Sequence, residues 1–303
     1  MSPHDRRTGD GFRGGTARPQ RVDQAAVITA RGLRMSYGDR DVLTGVDLDV
    51  HRGELLALLG PNGAGKTTTL EILEGFRRRS GGEVRVLGHD PELADDACRD
   101  RVGIVMQSWR DHARWQVRDL ITHLSRYYTA PADPDQLLEL VGLSTQAEQE
   151  SRTLSGGQRR RLDVALGLIG RPEVLFLDEP TAGFDPAART EFHALLEQLR
   201  RASPLTVLLT THDLAEAERL ADRIAILISG RVTAAGTAAE LAAVAEAQAE
   251  VRWYNDEGCQ QRRRTGDPSR LVWQLHHDFA GPIPGLEVRR PTLEDTYLAM
   301  VGR

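Results

Sequence analysis

The sequence predicts an α/β fold around a mostly parallel sheet, and three observations carry that expectation. Short apolar runs recur at Leu55–Leu59, Val102–Met106, Val174–Leu177, Val207–Leu209 and Ile224–Ile228. Segments with helical periodicity, Arg159–Ile169, Arg189–Arg201 and Leu214–Asp222, lie between several of them. The chain has 303 residues, 40% hydrophobic and 27% charged. That length and balance can bury a large core, or two ordinary ones, inside a water-facing surface.

Taken in order, residues 1–24 hold Arg, Asp, Gly, Pro and Ser with little to bury, and read as a disordered lead-in. Val27, Ile28, Leu33 and Met35 suggest a first strand, and Val46, Leu48 and Val50 alternate with polar residues as a half-buried strand does. Leu55–Leu59 is too short for a helix and stops at Gly60-Pro61, so a strand buried on both faces fits. Residues 67–76 read as a helix. Residues 108–155 show helical patches at Val117–Tyr128 and Pro134–Val141 and no strand, which marks a helical insertion. The character changes after Gly236. Ala238–Ala249 reads as a helix, Val251–Tyr254 and Leu271–Leu275 as short strands, and the Arg262–Arg264 run as a solvated loop. The expected organisation is a main domain over 25–236 and a small α+β domain over 237–303.

Several classes are disfavoured. A net charge of −5 gives no bulk basicity for nucleic-acid binding. Cys98 and Cys259 form no metal or disulfide pattern. No run approaches the ~18–20 apolar residues that span a bilayer, and the first residues lack a signal-peptide core.

The chemistry begins at Gly60-Pro61-Asn62-Gly63-Ala64-Gly65-Lys66-Thr67, which fits the phosphate-binding loop pattern between a strand and a helix. Glycines let the backbone curl so that N–H groups face phosphate oxygens at a helix N-terminus. Lys66 brings positive charge to the β- and γ-phosphates, and the Thr67 hydroxyl suits Mg²⁺. Alone, the loop says only that a nucleotide is bound.

Two more segments narrow this. Leu154-Ser155-Gly156-Gly157-Gln158 precedes a helix, a string expected by chance in well under ~0.1% of such chains. Further on, the apolar run Val174–Leu177 ends in Asp178-Glu179. Asp178 is suited to hold Mg²⁺ and Glu179 to act as general base towards water.

In this order the three segments resemble the nucleotide-binding domain of ABC ATPases over about residues 27–235, a P-loop NTPase core with an antiparallel β subdomain and a helical insertion. The resemblance implies further site residues: Tyr37 stacked on adenine, Thr68 beside the phosphates, Gln107 touching Mg²⁺ or the water, Asp185 communicating across a dimer, and His212 contacting the γ-phosphate. Phe184 stands where the family usually has Leu. The resemblance also implies ATP and Mg²⁺ as cofactors and a head-to-tail dimer. There, Lys66 of one subunit and Ser155, Gly156, Gly157 and Gln158 of the other share each ATP. Arg159–Arg161 read equally as a solvated helix face or a functional cluster.

Arg290-Pro291-Thr292-Leu293-Glu294-Asp295-Thr296-Tyr297-Leu298 resembles the closing motif of drug-exporter-type ABC ATPases of the daunorubicin-resistance-like group. This implies a homodimer peripheral to the inner face of the cell membrane, coupled to a separate ABC-2-type permease. No nucleic-acid partner is implied. An importer subunit, or a soluble ATPase acting on ribosomes or DNA, is the alternative. Against the latter stand the single P-loop and the short separation of Lys66 from Leu154.

Overall fold

The computed structural model describes residues 25–106, 113–244, 249–255, 257–279, 281–289 and 292–301. The expected lead-in over 1–24 lies outside them, as do Gln107, Arg290 and Pro291.

Two long strands open the chain, β1 (Ala26–Tyr37) and β2 (Arg40–His51), followed by β3 (Leu55–Leu59), α1 (Lys66–Leu73) and β4 (Gly81–Val86). Then come α2 (Asp96–Arg99), β5 (Val102–Val105) and the insertion helices α3 (Val117–Ser125) and α4 (Pro134–Leu140). The core resumes with α5 (Gly156–Gly167), β6 (Val174–Asp178), α6 (Pro186–Ala202), β7 (Thr206–Thr211), α7 (Leu214–Leu220), β8 (Arg223–Ile228) and β9 (Arg231–Gly236). The remainder holds α8 (Ala238–Val244), β10 (Ala249–Tyr254), β11 (Gln260–Thr265), α9 (Pro268–Phe279), β12 (Glu287–Arg289) and α10 (Leu293–Val301).

The central sheet has the order β5-β6-β7-β3-β8-β9, parallel throughout except for the edge strand β9. Every residue of β3, β6 and β7 is buried, because both faces are covered. Neighbouring side chains go to opposite cores. Leu175, Leu177, Val207 and Leu209 pack with the insertion and with α5 and α6. Val174, Phe176 and Leu208 face the other way, towards α1 and the antiparallel sheet β2-β1-β4. The period of two is thus read out as two separate cores.

The insertion is helical as expected. Asp133 caps α4 by accepting from the amides of Asp135 and Gln136, with Pro134 in the first turn.

Three expectations for the C-terminal part need correction. Leu271–Leu275 is not a strand but part of α9. Asp267 accepts from the Arg270 amide ahead of Pro268, and Leu271 and Leu275, one turn apart, are the buried pair. Arg262–Arg264 is not a loop but part of β11, an edge strand paired only with β10, so long charged side chains stay in water. The helix expected over Ala238–Ala249 stops at Val244 among the described residues, and Ala249 starts β10 opposite Thr265. Thr292 caps α10: its Oγ1 accepts from the Asp295 amide and the Asp295 carboxylate accepts from the Thr292 amide. Leu293 of α10 packs with Leu241 of α8 and with Leu59 and Ile226 of the central sheet.

Candidate functional site

The loop after β3 follows from two constraints. A Cβ on Gly60 would lie 2.3 Å from the Leu227 carbonyl oxygen of β8, so only glycine lets the loop leave the sheet here. Gly63 and Gly65 have φ of 80° and 105°, a left-handed backbone that side chains disfavour. The curl draws Lys66 inward until it is 5% exposed. Its Nζ donates to the carbonyls of Gly60 (2.9 Å) and Pro61 (3.2 Å) and lies 3.1 Å from Glu179 Oε1.

The end of β6 supplies the acidic half. Thr67 Oγ1 donates to Asp178 Oδ1 at 3.4 Å, and Thr210 Oγ1, from β7, donates to the same oxygen at 2.5 Å. Thr210 also accepts from the Glu179 amide at 3.0 Å, so one buried hydroxyl fixes both carboxylate residues. Glu179 itself has φ of 39°, uncommon for a residue with a side chain. Its other oxygen, Oε2, lies 3.3 Å from His212 Nδ1. Parallel pairing of β6 with β7 and of β7 with β3 is what brings the ends of these strands together, at the carboxyl edge of the sheet.

A cleft of about 560 Å³ opens over this group, lined by Tyr37, Asn62, Gly63, Lys66, Thr67 and Glu179 among others. Gly65 and Thr68 also line it, whereas Gly60 and Pro61 serve through their carbonyls and Ala64 is buried beneath. Tyr37 is 42% exposed, and the Arg77 guanidinium sits 5.2 Å from its ring centroid. Arg40 and Val42 line the cleft as well and were not singled out by the sequence. The signal was available, since both fall within five residues of Tyr37 on β2.

The remaining expected residues stand apart from the cleft. Ser155 caps α5: its hydroxyl accepts from the Gln158 amide (3.3 Å) and Gln158 Oε1 accepts from the Ser155 amide (3.0 Å). Gly156 is exposed, and a Cβ there would meet nothing within 4 Å. Gly157 lies close to Ala188 of α6. Asp185 caps α6 by accepting from the Ala188 amide, and Phe184 packs edge-on to Phe192. Gln107 lies outside the described residues. Of Arg159–Arg161, only the middle residue departs fully from a solvated face: Arg160 is buried, while Arg161 bridges the Val141 carbonyl and Glu191.

Residues 43–182 match the family model described as ABC transporter. A Nod factor export ATP-binding protein I from Ralstonia nicotianae is 36% identical over 310 residues, covering 93% of this chain and 96% of that protein. The chain belongs to the ATP-binding proteins of ABC transporters. A daunorubicin resistance ATP-binding protein from Streptomyces coeruleorubidus is 43% identical over 221 residues, covering 71% of this chain and 70% of its own length. A solved structure of the ATP binding subunit of an ABC transporter superposes with a TM-score of 0.63 at 27% identity, covering 71% of this chain and 91% of that one. A dimeric bacterial ABC transporter cassette gives 0.61 at 26% identity, covering 69% of this chain and 98% of the cassette. The protein is therefore an ABC ATPase: it binds ATP and hydrolyses it to ADP and phosphate. No helix among its described residues is long and apolar enough to cross a membrane.

The residues present also fit Mg²⁺. Thr67 Oγ1 and Asp178 Oδ1 converge as hard oxygen donors beside the phosphate loop, and an ion bound there would need its other ligands from phosphates and water.

Proposed function

We propose that this chain energises export of a small molecule through a separate ABC-2-type permease, acting as one half of a homodimer at the inner face of the cell membrane. The observation that carries the catalytic part is the convergence of Lys66 and His212 on Glu179, at 3.1 and 3.3 Å, beside a cleft that Lys66 and Glu179 line. Lys66 binds the β- and γ-phosphates. Thr67 and Asp178 would hold Mg²⁺, with Gln107 as a further contact, and the ion would neutralise charge on the phosphates. Glu179 accepts the proton of the attacking water, and His212 orients Glu179 and meets the γ-phosphate. Tyr37 stacks on adenine beside Arg77. Thr68 and the loop amides hold phosphate oxygens.

The Ser155–Gly157 corner, exposed at Ser155 and Gly156, supports the composite site. Its small residues leave room for a γ-phosphate bound to the other subunit, at a helix N-terminus that favours negative charge. Gln158 fixes that corner through the capping box, and Asp185 lies at the subunit seam. A second observation supports the permease. A groove of about 670 Å³ runs between the parallel-sheet core and the helical insertion, and it exposes Phe76, Met106 and Tyr127. Exposed apolar side chains gathered in one concavity suit a partner's helix. Relatives named for the export of Nod factors and fluoroquinolones, and for daunorubicin resistance, support export of a small molecule. Residues 25–236 then form the ATPase domain and 237–303 an accessory domain.

Glu179→Gln tests the centre of this proposal. Loss of the general base lowers kcat by about 10²–10⁴ with ATP binding retained; hydrolysis at the wild-type rate removes Glu179 from the mechanism. Membrane fractionation with a co-expressed six-span permease tests the partner. A chain that stays in the soluble fraction with every such permease and sediments with ribosomes refutes export.

A further inference from the structure

Arg160 lies two residues beyond the Leu154–Gln158 segment, in the first turns of α5, and is 5% exposed. Burying a guanidinium is costly unless its N–H groups are satisfied. Burial alone pushes this group below the usual arginine range, and the negative charges of Asp163, Asp178 and Glu216 act against that. Its carboxylate contact is loose, with Asp163 Oδ2 3.8 Å from Nη1. The donors go instead to main-chain carbonyls. Nε donates to Pro180 O at 3.0 Å, Nη2 to Asp178 O at 3.1 Å, and Nη1 to Met106 O.

Two of those carbonyls belong to the residues immediately before and after Glu179. The third belongs to the last described residue before Gln107. Glu179 needs such support, because its positive φ persists only where the surroundings determine it. The planar fork of arginine can hold several acceptors in one rigid arrangement, which the single ammonium of lysine cannot.

We propose that Arg160 is a positioning residue: its guanidinium clamps the carbonyls of Asp178 and Pro180, the residues that flank Glu179, and so fixes the carboxylate that activates water, tying the helix of the Ser155 corner to the hydrolytic centre of the same subunit. This rests on Glu179 being the general base. Arg160 does not line the cleft above Lys66 and Glu179. Its loss acts on the rate of the chemical step and leaves the phosphate loop able to bind ATP.

The test uses the purified full chain, with Arg160→Lys, Arg160→Gln, Glu179→Gln and the Arg160→Lys/Glu179→Gln double variant. Rates are expressed per nucleotide site titrated with a fluorescent ATP analogue, so unfolded molecules do not count. In the wild-type background, Arg160→Lys lowers kcat at least ~10-fold with KM and the analogue Kd within ~2-fold. Arg160→Gln lowers it as much or more. In the Glu179→Gln background, measured by single turnover of radiolabelled ATP, Arg160→Lys has no further effect, because the group it positions is gone. An equal fold-loss in both backgrounds, an unchanged kcat in either arginine variant, or a loss confined to ATP binding overturns the assignment. Glu179→Gln hydrolysing at the wild-type rate would instead overturn the base, and the clamp along with it.

Discussion

Thr210 offers the most direct measure of how the site is held. It is fully buried, its hydroxyl donates to Asp178 Oδ1 at 2.5 Å, and it accepts from the Glu179 amide at 3.0 Å. Thr210→Val keeps the shape and deletes both bonds. A hydrogen bond to a charged group contributes about 1.5–3 kcal/mol, and the orphaned Glu179 amide adds a desolvation cost of about 1–3 kcal/mol. The two overlap, since the same buried corner can relax once for both, so the net destabilisation is about 3 kcal/mol. Thr210→Ser is the control. It keeps both bonds and loses one methyl group, about 1 kcal/mol. Urea unfolding at constant slope reads the difference, and the hydrolysis rate of the folded protein reads the displacement of Glu179. A valine variant as stable as the serine variant, with unchanged kcat, would show that this hydroxyl holds neither carboxylate residue.

Two other substitutions separate fold from function. Gly156→Ala meets no neighbour within 4 Å, so its Tm stays within about 2 °C of wild type, the response to less than ~1 kcal/mol, while hydrolysis falls at least ~10-fold if the corner completes a second subunit's site. Differential scanning calorimetry and a phosphate-release assay check the two halves. Glu74 carries a pH dependence. Burial first, then the negative charges of Asp178 and Glu71, hold its carboxyl at about 8, up from 4.5. The folded chain therefore keeps a proton that the unfolded chain releases, and stability contributed here falls as pH rises from about 4.5 to about 8. Glu74→Gln removes that loss, so its Tm advantage over wild type is larger at pH 8 than at pH 5 by at least ~2 °C, read by thermal melts at both pH values.

Much of this was legible in the chain itself. Phosphate binding needs glycines, Lys66 and Thr67 at fixed spacing, and an apolar strand ending in Asp178-Glu179 announces acidic chemistry at a sheet edge, so each motif carries its own meaning. The buried strands were legible for a related reason: Leu55–Leu59 and Val174–Leu177 are covered on both faces, so nearly every residue is apolar. The edge strands β4 and β9 were not. They bury few side chains and hold their place through main-chain pairing, which leaves a faint trace in the sequence. Segment Leu271–Leu275 misled because Leu, Val and Trp suit a strand, while the cap at Asp267 and a buried pair one turn apart favour a helix.

Residue type at fixed spacing determined the phosphate loop, the acidic pair and the Ser155 corner. Only the tertiary structure decided how they meet. The order of the parallel strands brings Thr210 to Asp178, and the packing of α5 buries Arg160 against the carbonyls around Glu179. Those contacts join residues 18 to 32 apart in sequence, through groups that every threonine and arginine carries. Their role depends on which partner lies within 3 Å, and that is set by packing.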